Sequence, residues 1–218
     1  MTLETEKLCE RLAELERRLA SIEDREAIER LQAMYGYYID NRLWDELTDL
    51  FCDERPAIEI GRRGRYVGKE RIRHFLHHCL GGDRAGLHRD EFINHVQLQM
   101  VTTLAPDGLS ARMRARAVVQ GNSPPGGGAV LWAEGVYENE YVREGGRWKI
   151  RSVWWAPTFY AQLTLSAPLV FDSAPADDSF PPDAPSQEPD PLLGRIFVPY
   201  HYAHPMTGEP TGSPGRRR

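Results

Sequence analysis

The chain is poor in cysteine and has no long apolar run. Its three cysteines, Cys9, Cys52 and Cys79, form no CxxC pair and leave one unmatched, so neither a disulfide framework nor a cysteine-based metal knuckle is expected. No stretch approaches the roughly 20 apolar residues of a membrane span. The start, Met-Thr-Leu-Glu-Thr-Glu-Lys, has neither a basic segment nor an apolar one, which predicts a cytoplasmic protein. Basic charge is also short. With a net charge of −5 and one basic run, Arg216-Arg217-Arg218, the chain has no footprint for nucleic acid. A phosphate loop, a dinucleotide fingerprint and a serine elbow are missing as well, and the expectation is a protein without cofactor. His74, His77 and His78 lie close together on one expected helix. They read as a polar helix face, with no metal predicted.

What is present centres on Ala129 to Tyr160. Two aromatic, β-branched runs flank Gly145-Gly146, the signature of a β-hairpin. Alternation predicts that Tyr141 pairs with Ile150, Asn139 with Ser152 and Tyr137 with Trp154, and that Leu131, Tyr137 and Trp154 share an inward apolar face. At 218 residues, 41% hydrophobic and 27% charged, the chain has room for one domain with extensions.

Leu8, Leu12, Leu15, Leu19 and Ile22 recur at spacings of four and three, a heptad-type seam too short for a stable free coiled coil. It suits a helix laid across its own domain or a neighbouring subunit, and it favours an oligomer. Ser21 is placed to cap a second helix carrying Ile28, Leu31, Tyr35, Tyr38 and Ile39, with Asp40 at its end. A third helix follows from Leu43 to Phe51, then a short strand from Ala57 to Ile60, a helix from Lys69 to Leu80, a strand entered after His88, and a long strand from Leu109 to Gln120. In that strand Arg112, Arg114 and Arg116 alternate with small residues. They read as a solvated or ion-paired face, or, if turned inward, as charges of a site. Asp172 to Pro191 holds six prolines and six acidic residues without a basic one, a linker composition. The aromatic segment from Leu192 to Gly208 is expected to dock on the sheet or on a neighbour. Tyr200, His201 and His204 can reach a pocket mouth there, or simply pack.

Helices followed by antiparallel strands predict an α+β fold. The order Tyr-Tyr-Ile-Asp-x3-Trp-Asp-x-Leu-x2-Leu-Phe, Asn94 in its strand, Gly135-x-Tyr137-x-Asn-Glu and Trp148-Lys-Ile-x-Ser resembles the SnoaL-like branch of the fold shared by nuclear transport factor 2, scytalone dehydratase, ketosteroid isomerase and polyketide cyclases. The resemblance implies a curved antiparallel sheet wrapped around an apolar pocket and closed by helices, a cystatin-like cone, usually in a dimer or trimer. It divides the chain into an N-terminal amphipathic helix (1–21), a cone domain (22–163) and a C-terminal extension (164–218). Compared with scytalone dehydratase, Asp40 falls where that enzyme keeps a pocket aspartate, Glu91 where it keeps a catalytic histidine, and Tyr137 where it keeps an asparagine. The second dehydratase histidine falls near Val118. Those departures argue against carrying the dehydratase reaction over.

A greasy cone that raises a carboxylate's pKa provides a general acid or base. The candidates are Asp40 and Glu91, with Tyr137 as proton donor and Arg116 or His88 stabilising a developing anion. Substrate contacts are expected from Tyr35, Tyr38, His95, Leu131 and Trp154. Each also has a plain reading as cap, core or surface. The expected activity is a cofactor-independent lyase acting on a hydrophobic aromatic small molecule. Its narrowest form, implied by family members with similar extensions, is formaldehyde-releasing cleavage of lignin-derived diarylpropanes. The alternatives are a dehydratase, isomerase or cyclase acting on a steroid or polyketide, and a non-catalytic small subunit of a ring-hydroxylating dioxygenase. A catalytic member is expected to enclose a cavity of roughly 300 Å³ or more.

Overall fold

A computed structural model describes residues 3–88, 90–122, 128–167, 169, 179–184 and 200–210. Helix α1 runs unbroken from Leu3 to Asp40. The helix start expected at Ser21 does not occur, because no glycine or proline interrupts the chain before Gly36 and the charged residues around Ser21 are good helix formers. Ser21 Oγ instead accepts a hydrogen bond from Arg25 at 3.2 Å. Asp24, three residues on, is buried and accepts the Trp148 indole N–H at 2.8 Å.

Short elements follow: α2 (Trp44–Asp49), β1 (Ala57–Ile60), β2 (Arg65–Val67) and α3 (Lys69–His74). α3 continues through a wider, π-helical stretch, Phe75–Leu80. The long strands are β3 (Ile93–Leu104), β4 (Ser110–Gly121), β5 (Ala129–Glu144) and β6 (Arg147–Thr164). They form one six-stranded sheet in the order β2-β1-β6-β5-β4-β3, antiparallel except where β1 runs parallel to β6. Its concave face packs on α1, α2 and α3 around a core that includes Ile28, Tyr35, Leu47, Phe75, Ala115 and Ile150. This is the curved α+β cone.

The hairpin turns at Gly145-Gly146, both with positive φ, as a tight two-residue turn of matched twist requires. Tyr141 faces Ile150, but a bulge between Glu140 and Tyr141 then shifts the ladder, so that Glu140 pairs with Ser152 and Tyr137 with Trp155. The expected pairs Asn139–Ser152 and Tyr137–Trp154 are therefore displaced by one residue. A one-residue slip exchanges faces. Trp154 turns outward, 44% exposed, and Trp155 turns in, 4% exposed. Asn139 holds the bulge: its Oδ1 accepts the Trp154 backbone N–H at 3.0 Å and its Nδ2 donates to Gln32 Oε1 at 3.0 Å. Alternation on β4 puts Ala115 and Ala117 inside, so Arg112, Arg114 and Arg116 lie on the outer face, paired with Glu140, Glu138 and Glu134.

Residues 200–210 dock on α1 and α2 and touch the sheet at the start of β6, where Arg147 donates to the Met206 carbonyl at 2.6 Å. Tyr200 hydrogen-bonds Asn41, and His204 stacks on Tyr38 at 5.6 Å. The buried His204 accepts the Met206 and Thr207 backbone N–H groups at Nδ1, which fixes its proton on Nε2 for donation to the Glu46 carbonyl at 2.9 Å. Residues 192–199, part of the same expectation, and most of the 172–191 linker lie outside the described residues.

Gly135 faces Trp155. A Cβ at this position would stand 2.7 Å from the indole nitrogen and 2.6 Å from the Ala156 carbonyl oxygen, distances that force a rearrangement. Gly135→Ala is expected to destabilise the fold by about 1–3 kcal/mol through overpacking. Urea denaturation measures this, and an unchanged midpoint would show that the indole is not held by this contact.

Candidate functional site

The site begins where α1 ends. Asp40 occupies the last helical turn, and its Oδ1 accepts two hydrogen bonds from His95 on β3: the backbone N–H at 2.8 Å and ring Nδ1 at 2.8 Å. Both side chains are largely buried, at 15% and 12% exposure. A carboxylate facing Nδ1 sets the tautomer, placing the proton on Nδ1 and the basic lone pair on Nε2.

His95 lines a cavity of 170 Å³ between the sheet and the helices. Ile39, Trp44, Ile93, Leu131 and Trp155 supply much of its apolar wall, and Arg42, Arg63 and Tyr137 add polar groups. The volume is smaller than the 300 Å³ expected of a catalytic cone, because Trp44, Tyr137, Trp155 and the Arg42 side chain fill much of the interior. The cavity is nonetheless open to a compact molecule. A wider groove of 360 Å³ lies elsewhere, between α1 and the β5–β6 turn. It holds no comparable base, since its buried carboxylate, Asp24, is engaged by Trp148 and Arg143.

Arg42 follows α1 with φ +53, a left-handed conformation uncommon for a residue with a side chain. It is buried, and its guanidinium donates to Glu91 Oε1 at 2.6 Å and to the Gly81 carbonyl at 3.3 Å. Glu91 is fully buried and also accepts from Arg84 and from the His88 backbone N–H, at 2.6 and 2.9 Å. Burial pulls the Arg42 pKa below its usual value, while the Glu91 carboxylate acts in the opposite sense. The guanidinium stays cationic at the cavity wall.

Tyr137 is buried, and desolvation raises its pKa well above the ordinary phenol value, so it is a neutral hydroxyl at any working pH. Tyr35 meets it edge-on at 6.0 Å, and burial raises the Tyr35 pKa likewise. The Trp155 indole N–H finds no acceptor among the described residues.

Of the residues singled out from sequence, Asp40, His95, Tyr137 and Leu131 come together here. Glu91 stands behind them as the counter-ion of Arg42 and does not line the cavity. Tyr35 supports Tyr137 from below. Tyr38 points away and packs against Tyr200 and His204. Arg116 is on the outer face, paired with Glu134, and the His88 side chain is exposed on a loop. Trp154 is displaced by the bulge. Arg42, Arg63, Trp44, Trp155 and Tyr160 were not expected. His74, His77 and His78 are engaged in ring stacking and in contacts with Asp45 and Asp83. Among the described residues no group of three or more His, Cys, Asp or Glu could hold a metal, and no helix is long and apolar enough to cross a membrane.

Residues 20–153 match the SnoaL-like domain family. No curated protein matches the chain. Solved structures share its fold: hexachlorocyclohexane dehydrochlorinase LinA type 2 is 19% identical over 70% of this chain and 97% of its own, with a TM-score of 0.60. LinA type 3 from Novosphingobium barchaimii is 18% identical over 70% and 98%, with a TM-score of 0.60. A provisional scytalone dehydratase from Novosphingobium aromaticivorans is 18% identical over 72% and 98%, with a TM-score of 0.55.

Removing Glu91 leaves Arg42 buried without its carboxylate. Glu91→Ala is expected to cost about 3–5 kcal/mol, read from the urea midpoint. A loss under about 1 kcal/mol, the size of an exposed pair, would mean that water reaches the guanidinium.

Proposed function

The chain belongs to the SnoaL-like domain family, and from that premise we propose that it is a cofactor-independent lyase that removes a carbon-bound proton and expels a neighbouring leaving group. One observation carries this reading: His95 is held by Asp40 through Nδ1 at 2.8 Å on the wall of an apolar cavity that also exposes the cationic Arg42.

In the proposed step, His95 Nε2 takes the proton. The C–H bonding pair becomes the new carbon–carbon π bond, and the leaving group departs with its own bonding pair. Asp40 stabilises the resulting imidazolium, as a carboxylate does for a histidine base. Arg42 meets the departing negative charge, and a low-dielectric surrounding strengthens that attraction. Tyr137, kept protonated by burial, donates a hydrogen bond to the leaving atom, or its proton where the leaving group is hydroxide.

The cavity favours a compact substrate. At 170 Å³ it lies below the usual range of about 300–1,000 Å³ for drug-sized ligands. The fold neighbours named as a hexachlorocyclohexane dehydrochlorinase and a provisional scytalone dehydratase give examples of eliminations in this fold. Formaldehyde-releasing cleavage of a diarylpropane would use the same base differently. His95 takes the hydroxymethyl O–H proton, the O–H pair forms the C=O of formaldehyde, the C–C bonding pair becomes the new C=C bond, and the group on the next carbon leaves with its own pair. This form requires one aryl ring to rest outside the cavity, towards Arg63 and Tyr160.

The test is turnover against a panel of halogenated cyclohexanes, hydroxylated bicyclic aromatics and lignin-derived diarylpropanes. With the substrate found, His95→Gln and Asp40→Asn are each expected to lower kcat by about 10²–10⁴ while the thermal midpoint holds, and deuterium at the abstracted position should slow the wild type. Full activity in His95→Gln would refute the assignment.

A further inference from the structure

The first half of α1 projects from the domain. Residues 3–12 and 14–20 are exposed along their whole length, and Asp24 is the first α1 residue to be buried. At about 1.5 Å per residue the projection extends roughly 30 Å. Its apolar seam, expected to lie on the domain, lies on nothing: Leu8, Leu12, Leu15, Leu19 and Ile22 are between 51% and 68% exposed.

The charges beside the seam specify what covers it. With Leu12 and Leu19 at heptad position a and Leu8, Leu15 and Ile22 at d, the g positions are Arg11 and Arg18 and the following e positions are Glu16 and Glu23. In a parallel, in-register pair each g side chain faces the e position of the next heptad on its partner. Arg11 then meets the partner's Glu16, and Arg18 the partner's Glu23, on both sides of the seam. In an antiparallel pair g faces g and e faces e, which sets arginine against arginine and glutamate against glutamate. Neither arginine is in the one ion pair within this part of the helix, Arg17 with Glu14 on the outer side.

The seam also has an end. The next a and d positions are Glu26 and Glu29, so two parallel copies repel beyond Ile22 and separate where each helix joins its own domain. The seam is too short to form a coiled coil from free peptides. Here the buried half of each helix is already folded against its sheet, and the helical nucleus is supplied.

We propose that the projecting part of α1 pairs with the same segment of a second copy of this chain, as a parallel two-stranded coiled coil from Leu8 to Ile22. The surface is distinct from the cavity and independent of the proposed reaction.

Sedimentation of the full chain at micromolar concentration tests it. A dimer is expected for the wild type and a monomer for Leu12→Glu/Leu19→Glu, with unchanged helical circular dichroism in the domain. Glu16→Arg/Glu23→Arg alone and Arg11→Glu/Arg18→Glu alone should each dimerise at least tenfold more weakly, and an equimolar mixture of the two should recover association. Direction is read from Thr5→Cys in a Cys9→Ser/Cys79→Ser background, where parallel pairing brings the two introduced thiols together and oxidation cross-links them. A monomeric wild type, a dimer that survives Leu12→Glu/Leu19→Glu, or a thiol pair that fails to cross-link in an intact dimer would each overturn the proposal.

Discussion

The buried ion pair between Arg42 and Glu91 is the constraint on which the site rests. It joins the residue after α1 to the loop before β3, two points 49 positions apart. It also offsets the left-handed backbone at Arg42, whose carbonyl accepts the Gly86 N–H at 3.2 Å. The Trp44 indole adds a second tie by donating to the Arg84 carbonyl at 2.8 Å. An ion pair so deeply buried gives modest net stability, because both charges leave water. Its effect is positional: Gly81, Arg84 and Glu91 are tied to the end of α1, and a positive charge is held at the cavity wall.

Around that pair the labour is divided by element. The rigid helix end supplies Asp40, the strand it crosses supplies His95, and the following turn supplies Arg42. Tyr137 on β5 and Trp155 and Tyr160 on β6 line the interior. Tyr137 stays protonated because its surroundings cannot solvate a phenolate. A base on one element and a cation on another keep their separation only if the helix cannot slide on the sheet. Gln32 opposes sliding by linking α1 to β3 and β5, donating to Gln97 at 2.6 Å and accepting from Tyr141 at 2.5 Å.

Much of this was legible in the sequence. The hairpin, its turn, the four long strands or their approaches and the α+β cone follow from alternation, Gly-Gly and the order of elements. Asp40, Tyr137, His95 and Leu131, singled out from sequence, lie in one neighbourhood. Trp154 was taken for Trp155 because a bulge adds a residue to one strand, and alternation carries no mark of where that happens. Glu91 was taken as an acid or base because it falls where scytalone dehydratase keeps a catalytic histidine, while its two arginine partners lie 7 and 49 positions away. Arg42 was passed over because Asn-Arg after a helix looks like any solvated helix end. The arginines of β4 had two readings from sequence, and the small residues between them, which pack inside, decide for the outer face.

The π-helical stretch from Phe75 to Leu80 sets how far Cys79 and Leu80 reach into the cavity wall. Such a widening carries one residue more than an ordinary helical turn would hold. A single-codon deletion within it would rewind the segment and rotate those two side chains away, leaving the residues of the sheet unchanged. The volume available to a guest can thus drift in evolution by insertions and deletions at one helical turn, with Asp40 and His95 left in place.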